Sequence, residues 1–183
     1  MKQNESIFAY VLRLAGTLFL IAAVVAVALA GVNSVTAPAI AELNAQKTQE
    51  AIELVLPGGG AEKADFPAVA LVSKVYEGEA GYAVEVTPGG FDNTITMMVG
   101  VDTEGKVLGI SIIKHTETAG LGAVAAAGTP AGESFRGQFV GASGSVSVTK
   151  DGGEIDSITG ATITSRAICV GVNAALEVVA QMG

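Results

Sequence analysis

Hydroxyl side chains crowd the segment that precedes the last apolar stretch of the chain. Residues 156–165 read Asp-Ser-Ile-Thr-Gly-Ala-Thr-Ile-Thr-Ser, and a helical apolar pattern follows them. A helix N-terminus has backbone N–H groups without partners and the positive end of the helix dipole, so it favours phosphate. Gly160 would let a bulky anion approach the backbone, and Arg166 could add a charge-assisted contact. The plainer interpretation, which spacing alone favours, is that Thr164 or Ser165 caps the helix.

A second polar group lies upstream, where residues 115–122 read His-Thr-Glu-Thr-Ala-Gly-Leu-Gly. His115 is the only histidine of the chain, and a lone histidine at a strand end is more often a solvated or core residue than a ligand. Glu117 alone indicates an exposed loop carboxylate, and Gly120 and Gly122 indicate ordinary turns. The residue types of this segment therefore do not define a site by themselves.

Together, the two segments resemble the FMN-binding domain family. Residues 159–162, Thr-Gly-Ala-Thr, preceded by Asp156 and followed by Thr164, are similar to the family's flavinylation motif. Residues 115–122 are similar to its His-x-Glu-Thr-Pro-Gly-Leu-Gly segment, with Ala119 in place of the proline. The family includes the G subunit of the Rnf electron-transport complex and the C subunit of the sodium-pumping NADH:quinone oxidoreductase. The resemblance to the Rnf G subunit covers nearly the whole chain.

This resemblance implies that FMN is joined to Thr162 through a phosphoester bond. A dedicated flavin transferase makes the bond in the family, and Asp156 belongs to the pattern that it recognises. Thr162 is then an attachment point and not a catalytic nucleophile, since the redox chemistry belongs to the cofactor. The other residues that the resemblance implies at the flavin are Thr159, Gly160, Ala161, Thr164, Ser165, His115, Glu117, Thr118, Gly120, Leu121 and Gly122. Phe135 and Phe139 are expected in the core instead.

For function, the resemblance implies an electron-relay subunit of an ion-translocating ferredoxin:NAD oxidoreductase of the Rnf type, which is not catalytic alone. Its expected partners are the other membrane and peripheral subunits, the flavin transferase during maturation, and membrane lipid. No Gly-x-Gly-x-x-Gly turn joins a strand to a helix, so the chain itself is not expected to bind a nicotinamide. Two alternatives stay open. One is a freestanding membrane-anchored covalent flavoprotein that serves another extracytoplasmic acceptor, and the other is a binding module without redox activity.

A charge-free stretch near the N-terminus predicts a membrane anchor. From Leu14 to Val32 the chain carries no charge, and as a helix this stretch would span about 28 Å, close to the hydrocarbon thickness of a bilayer. Lys2 and Arg13 precede it, and the first charge after it is Glu42. The positive-inside rule therefore predicts a single pass through the cell (inner) membrane, with a cytoplasmic N-terminus and an extracytoplasmic domain. A signal peptide cleaved near residues 28–30, Ala-Leu-Ala, is the alternative.

The charge and the cysteine count argue against several classes of ligand. The formal net charge is −8, from 10 basic and 18 acidic residues, so no nucleic acid is expected to bind. Cys169 is the only cysteine, which excludes an internal disulfide and a cysteine-ligated cluster or zinc site within the chain. No metal site is expected. Because Cys169 lies in an apolar run, we expect it to be a buried thiol.

Both helices and strands are predicted around the two polar segments. Pro38 predicts a break after the membrane segment, and the apolar spacing of residues 39–56 predicts a juxtamembrane helix that Pro-Gly-Gly-Gly at residues 57–60 ends. Four β-rich segments separated by turn signals then predict an antiparallel meander. They cover residues 69–76, 81–87, 95–101 and 107–113.

The rest of the chain predicts mostly helix. Residues 123–141 are ambiguous, with a short helix expected around Phe135 and Phe139. Residues 143–149 alternate as a short strand, residues 150–156 form a polar turn, and residues 165–182 have a strong helical pattern.

These elements predict an α+β protein with one N-terminal transmembrane helix, a small antiparallel sheet and a C-terminal helix. The cytoplasmic stub and anchor would occupy residues 1–35. The juxtamembrane helix and linker would occupy residues 36–60, and the FMN-binding domain residues 61–183. A chain of this length has room for one globular core beside the anchor.

Overall fold

A computed structural model describes residues 2–182, and it divides into two compact units at residues 45 and 46. The first unit lies within helix α1, and the last turns of α1 belong to the second unit. The predicted α+β fold is confirmed. The predicted cytoplasmic position of Met1 lies outside the described residues, and the domain boundaries at residues 35 and 60 stay predictions. The elements are α1 (Lys2–Val55), β1 (Ala61–Lys63), β2 (Val72–Gly78), β3 (Gly81–Val86), β4 (Thr96–Asp102), β5 (Val107–Lys114), α2 (Pro130–Gly137) and α3 (Thr162–Met182).

Two of the described helices are long and apolar enough to cross a membrane. In α1 the most apolar window has a mean hydropathy of 2.5, and none of it is buried by protein. In α3 the corresponding window is 67% buried, which identifies α3 as the core helix of the second unit. Helix α1 is therefore the candidate membrane anchor.

The predicted break at Pro38 is wrong, because α1 continues through this residue. A proline inside a helix removes one backbone hydrogen bond and crowds the carbonyl one turn earlier. Transmembrane-type helices tolerate proline more readily than helices of soluble proteins do. In the turns before Pro38, Ser34 Oγ donates to the Gly31 carbonyl at 2.8 Å and Thr36 Oγ1 donates to the Val32 carbonyl at 3.0 Å, so neither hydroxyl bonds the Ser34 carbonyl that the proline leaves without its helical donor. The predicted end of the helix at the Pro-Gly-Gly-Gly run is confirmed.

Five strands form one antiparallel sheet in the order β1-β2-β3-β4-β5. Four of them match the predicted meander, and the short β1 was not predicted. Met97, Val99 and Val101 of β4 pack in the cluster that contains α2 and α3, whereas Met98 packs in the cluster that contains the end of α1. Alternate side chains of a strand point to opposite faces. Helices therefore cover both faces of the sheet at β4.

Helix α3 packs along the core beneath the site. It begins at Thr162, three residues before the predicted start, and its buried residues include Ile168, Val172 and Val179. Cys169 is buried as predicted, and burial raises the pKa of its thiol to about 11. Phe135 and Phe139 are also core residues, with ring centroids 5.5 Å apart in an edge-to-face arrangement.

The predicted strand at residues 143–149 is wrong, although two of its residues, Val146 and Val148, are buried. A single parallel bridge joins Val148 to Ile155. At Val146 the side-chain amide of Asn173 replaces a strand partner. It accepts from the Val146 N–H at 2.7 Å and donates to the Val146 carbonyl at 2.9 Å. Because both backbone groups are satisfied by α3, this segment packs without joining the sheet.

Replacing the Asn173 amide will destabilise the fold. In Asn173→Ala, the part-buried N–H and carbonyl of Val146 lose their partners, so we expect the free energy of unfolding to fall by about 2 kcal/mol. Thermal or urea unfolding of the full chain in detergent measures the change. The control is Gln181→Ala, whose amide donates to Glu177 on the exposed side of the same helix. Equal stability of the two variants would contradict this role of Asn173.

Candidate functional site

A cavity of about 290 Å³ opens beside the first turn of α3. This volume lies near the lower limit of roughly 300 Å³ for small-molecule sites. Its walls come from the β3–β4 loop, the segment after β5, the 3-10 turn Thr149–Asp151, the turn that precedes α3, and α3 itself. The lining residues are Phe91, Glu117, Thr118, Leu121, Gly122, Lys150, Gly160, Ala161, Thr162, Ile163 and Thr164.

A tight turn places Thr162 at the cavity. The Ala161 N–H donates to the Ile158 carbonyl at 2.9 Å, and Gly160 at the third position has φ +77°. A positive φ at that position is what type II turns require, which explains the glycine. Ser165 is fully buried behind the turn, where its Oγ donates to the Ala161 carbonyl at 3.0 Å and accepts from the Ile158 N–H at 3.1 Å. Ser165 thus fixes the turn and does not line the cavity.

The Thr162 hydroxyl contacts a lysine. Lys150 Nζ donates to Thr162 Oγ1 at 3.0 Å. Thr162 is half-buried, whereas Lys150 is exposed at the cavity edge. Further along α3, the first helical hydrogen bond runs from the Ser165 N–H to the Ala161 carbonyl at 3.0 Å, so the amides of residues 162–164 precede the helical ladder. Backbone N–H groups, a hydroxyl and an ammonium group therefore lie close together in the cavity wall. Such a group of donors can bind a phosphate.

Arg166 does not take the expected place beside an anion in this cavity. Its guanidinium forms two hydrogen bonds with Asp151, Nε to Oδ2 at 2.6 Å and a second nitrogen to Oδ1 at 2.7 Å. This hydrogen-bonded pair lowers the pKa of the Asp151 carboxyl and raises that of Arg166. The pair joins α3 to the 3-10 turn Thr149–Asp151, which carries Lys150. Arg166 thus positions the turn that provides the cation.

The Glu117 carboxylate joins three walls of the cavity. Although only 8% exposed, it accepts from the Phe91 N–H at 2.8 Å through Oε1 and from Thr164 Oγ1 at 2.5 Å through Oε2. Thr164 is also buried, at 2% exposure. A buried carboxylate is costly unless donors satisfy it, and here both of its oxygens have one. The sequence alone indicated an exposed loop carboxylate, which is wrong.

Gly122 makes room for this arrangement. A Cβ at this position would overlap the Glu117 carboxylate and the Thr164 hydroxyl. Gly90, in the β3–β4 loop, has the same constraint, because its Cβ would overlap Glu117 Oε1. The two glycines let backbone pass on both sides of the buried carboxylate. Gly122 therefore has a packing role in addition to lining the cavity.

Five of the residues implied by the resemblance lie outside the cavity wall. Ser165 lies behind the turn. Gly120, Thr159 and Asp156 line a neighbouring shallow depression of about 440 Å³, where Gln138 bonds the Asp156 backbone and the Asp156 side chain is exposed. His115 is half-buried at the end of β5, and its Nδ1 is buried without a hydrogen-bond partner among the described residues.

Three lining residues were missed in the sequence. Phe91 and Ile163 are 66% and 51% exposed, and with Leu121 at 42% they form an apolar rim around the cavity. The position of Phe91 directly after the Pro-Gly-Gly turn signal was the available clue for that residue, and adjacency to Thr162 was the clue for Ile163. Lys150 had no such signal, because its contact with Thr162 depends on how the 3-10 turn packs against α3.

Comparison with known proteins shows the family of the chain. Residues 90–177 match the FMN-binding domain family. The chain is 36% identical over 195 aligned residues to the G subunit of the Na(+)-translocating ferredoxin:NAD(+) oxidoreductase complex of Acetobacterium woodii, covering 92% of this chain and 91% of the relative. It is 33% identical to the G subunit of the ion-translocating oxidoreductase complex of Methanosarcina acetivorans, covering 89% and 91%. The G subunit of the proton-translocating ferredoxin:NAD(+) oxidoreductase complex of Clostridium ljungdahlii is also 33% identical, covering 96% and 93%.

Truncating Glu117 will loosen the cavity. In Glu117→Ala, the Phe91 N–H and the Thr164 hydroxyl lose a buried acceptor, so we expect the free energy of unfolding to fall by about 3 kcal/mol. Glu117→Gln keeps one carbonyl oxygen and a similar shape, and should lose less than half as much. Thermal unfolding of the full chain in detergent measures both changes. An unfolding midpoint for Glu117→Ala equal to that of the unmodified chain would refute the joining role of the carboxylate.

Proposed function

Because the chain belongs to the family of the G subunits of ion-translocating oxidoreductase complexes and contains the FMN-binding domain, we propose that it carries FMN covalently on Thr162 and relays electrons in such a complex. The observation that supports this most directly is the Thr162 hydroxyl at the polar end of the cavity, 3.0 Å from Lys150 Nζ. The complex would be an ion-translocating ferredoxin:NAD oxidoreductase, as two relatives are named. The chain would act in it as a redox subunit and not as an enzyme alone.

The residues present fit FMN at its phosphate end. The backbone amides of residues 162–164 and the Lys150 ammonium are donors for phosphate oxygens. Phe91, Leu121 and Ile163 offer exposed apolar surface beside them, which suits the apolar part of a flavin. When bound, the flavin supplies the reversible electron transfer. Thr118, Gly160 and Ala161 complete the wall around the attachment point.

A covalent bond at Thr162 has a physical rationale. A cofactor held only by noncovalent contacts at an open cavity dissociates at a rate set by those contacts. A bond from Thr162 Oγ1 to the flavin phosphate removes that loss. It uses the phosphate end, so the residues around the cavity remain free to orient the rest of the cofactor.

A flavin transferase would act on this chain during maturation. Asp156 is exposed and lies with Thr159 and Gly120 on the depression next to the cavity. Gln138 holds the Asp156 backbone through bonds of 2.7 and 3.3 Å, so the carboxylate projects from a fixed loop. We propose this depression as the surface that the transferase recognises. From the resemblance, we also propose that His115, which follows β5 outside the cavity wall, lies near the flavin.

Helix α1 would anchor the protein in the cell (inner) membrane with a single pass. Lys2 and Arg13 lie before the apolar stretch and Glu42 lies after it, so the positive-inside rule favours a cytoplasmic N-terminus and a flavin domain outside. Lipid would contact most of this helix, and other membrane subunits would pack where small residues allow close approach. These small residues are Gly16, Ala22, Ala23, Ala26 and Gly31.

We expect Thr162→Ala to abolish flavin attachment. Full-length chain produced together with the flavin transferase should give a fluorescent band after denaturing electrophoresis, and the variant band should be dark because it lacks the acceptor oxygen. Thr162→Ser, which keeps a hydroxyl, should retain the label, and Thr164→Ala should retain part of it. A dark band from the unmodified chain would instead favour a binding module without redox activity.

Purification from the native membrane distinguishes the complex from a freestanding flavoprotein. We expect other subunits of an ion-translocating oxidoreductase to purify with this chain in mild detergent, because a relay subunit must stay close to its electron donor and acceptor. Mass spectrometry of the purified sample identifies them. Isolation of the flavinylated chain alone, under conditions that keep membrane complexes intact, would support the freestanding alternative.

A further inference from the structure

Lys150 is the only cationic side chain among the residues that line the described cavity. The other charged lining residue, Glu117, already accepts hydrogen bonds from the Phe91 N–H and the Thr164 hydroxyl. Lys150 Nζ, in contrast, donates to Thr162 Oγ1 at 3.0 Å. The cation of the cavity thus contacts the oxygen to which the flavin phosphate would be joined.

The backbone that carries Lys150 is fixed opposite Thr162. In the 3-10 turn Thr149–Asp151, the Thr149 N–H donates to the Ile155 carbonyl at 2.8 Å, and the next residue after Lys150, Asp151, forms the paired bonds with Arg166. Thr162 and Arg166 are four residues apart on α3, so they lie on the same helix face. The turn therefore contacts that face at two points, which keeps the Lys150 backbone close to Thr162.

We infer that Lys150 is a positioning residue for flavin attachment: it orients the Thr162 hydroxyl before the bond forms and pairs with the phosphoester anion afterwards. This inference rests on the proposed function. The ammonium group donates to a lone pair of Oγ1, so the hydroxyl hydrogen points away from Lys150. After attachment the phosphate joins two oxygens of carbon chains and keeps one negative charge. An ammonium group at this distance pairs with that charge as a point cation.

Lys150 does not accept a proton in the attachment step. Oγ1 bonds to the phosphorus of the FMN phosphate, the phosphoanhydride bond of a flavin dinucleotide donor breaks, and a nucleoside monophosphate leaves. The hydroxyl proton goes to solvent or to the transferase, because a lysine ammonium has donors and no acceptor. Lys150 therefore acts by electrostatics, stabilising negative charge on the transferring phosphoryl group and on the product.

The test follows the rate at which flavin joins the chain. Full-length protein in detergent is mixed with purified flavin transferase and flavin adenine dinucleotide, and intact mass and in-gel fluorescence are recorded over time. We expect Lys150→Gln to incorporate flavin roughly tenfold more slowly, the effect of losing one charge-assisted hydrogen bond. Lys150→Arg keeps a cation with donors and should be faster than Lys150→Gln. The matched control is Lys106→Gln, which removes a lysine paired with Glu104 in the turn between β4 and β5.

The outcomes separate this inference from the proposed function. Flavin on the unmodified chain and none on Thr162→Ala, with Lys150→Gln slow and Lys150→Arg faster, supports the inference. Equal rates for Lys150→Gln and Lys150→Arg overturn it and leave the attachment at Thr162 intact. If the unmodified chain gains no flavin mass, the proposed function fails and the inference fails with it. Equal unfolding midpoints for the Lys150 variants and the unmodified chain confirm that the rates compare folded proteins.

Discussion

The cavity depends on one buried carboxylate. Glu117 accepts a hydrogen bond from the backbone of the β3–β4 loop and another from the Thr164 side chain, 26 and 47 residues away in the chain. Removing such a group from water is unfavourable unless donors replace the lost solvent. The carboxylate therefore stays buried only while both walls remain in place, and the walls are held at a fixed distance because Glu117 joins them. Gly90 and Gly122 leave the space that this arrangement needs.

The cavity lining combines two kinds of surface. The start of α3, the Thr162 hydroxyl and the Lys150 ammonium favour a phosphate, whereas Phe91, Leu121 and Ile163 expose apolar surface that the core does not use. A ligand that has both a phosphate and an apolar group matches this lining. The match does not depend on the sequence resemblance, because it follows from which groups line the cavity.

Much of the fold could be predicted from local patterns. The four main strands follow from their β-rich segments and turn signals, and the final helix follows from its apolar period. Hydrogen bonds between residues distant in the sequence account for the errors at Val146 and Arg166. Val146 and its neighbours look like a strand, but Asn173 on α3 takes both backbone groups of Val146. Pro38 looks like a helix break, yet α1 continues through it. At the site, adjacency in sequence favoured Arg166 as the cation, whereas packing of the 3-10 turn assigns Arg166 to Asp151 and brings Lys150 to Thr162.

The position of Thr162 in the fold explains why an attachment there would hold a cofactor still. Thr162 is the first residue of a helix whose Ile168, Val172 and Val179 are buried against the sheet, so its backbone cannot move without disturbing the core. The turn before it is fixed by the two hydrogen bonds of Ser165. A tether on an exposed loop would let the cofactor sample many orientations. A tether at the start of the core helix limits them to rotations within the threonine side chain and the linker beyond it, which is what relay between fixed partners requires.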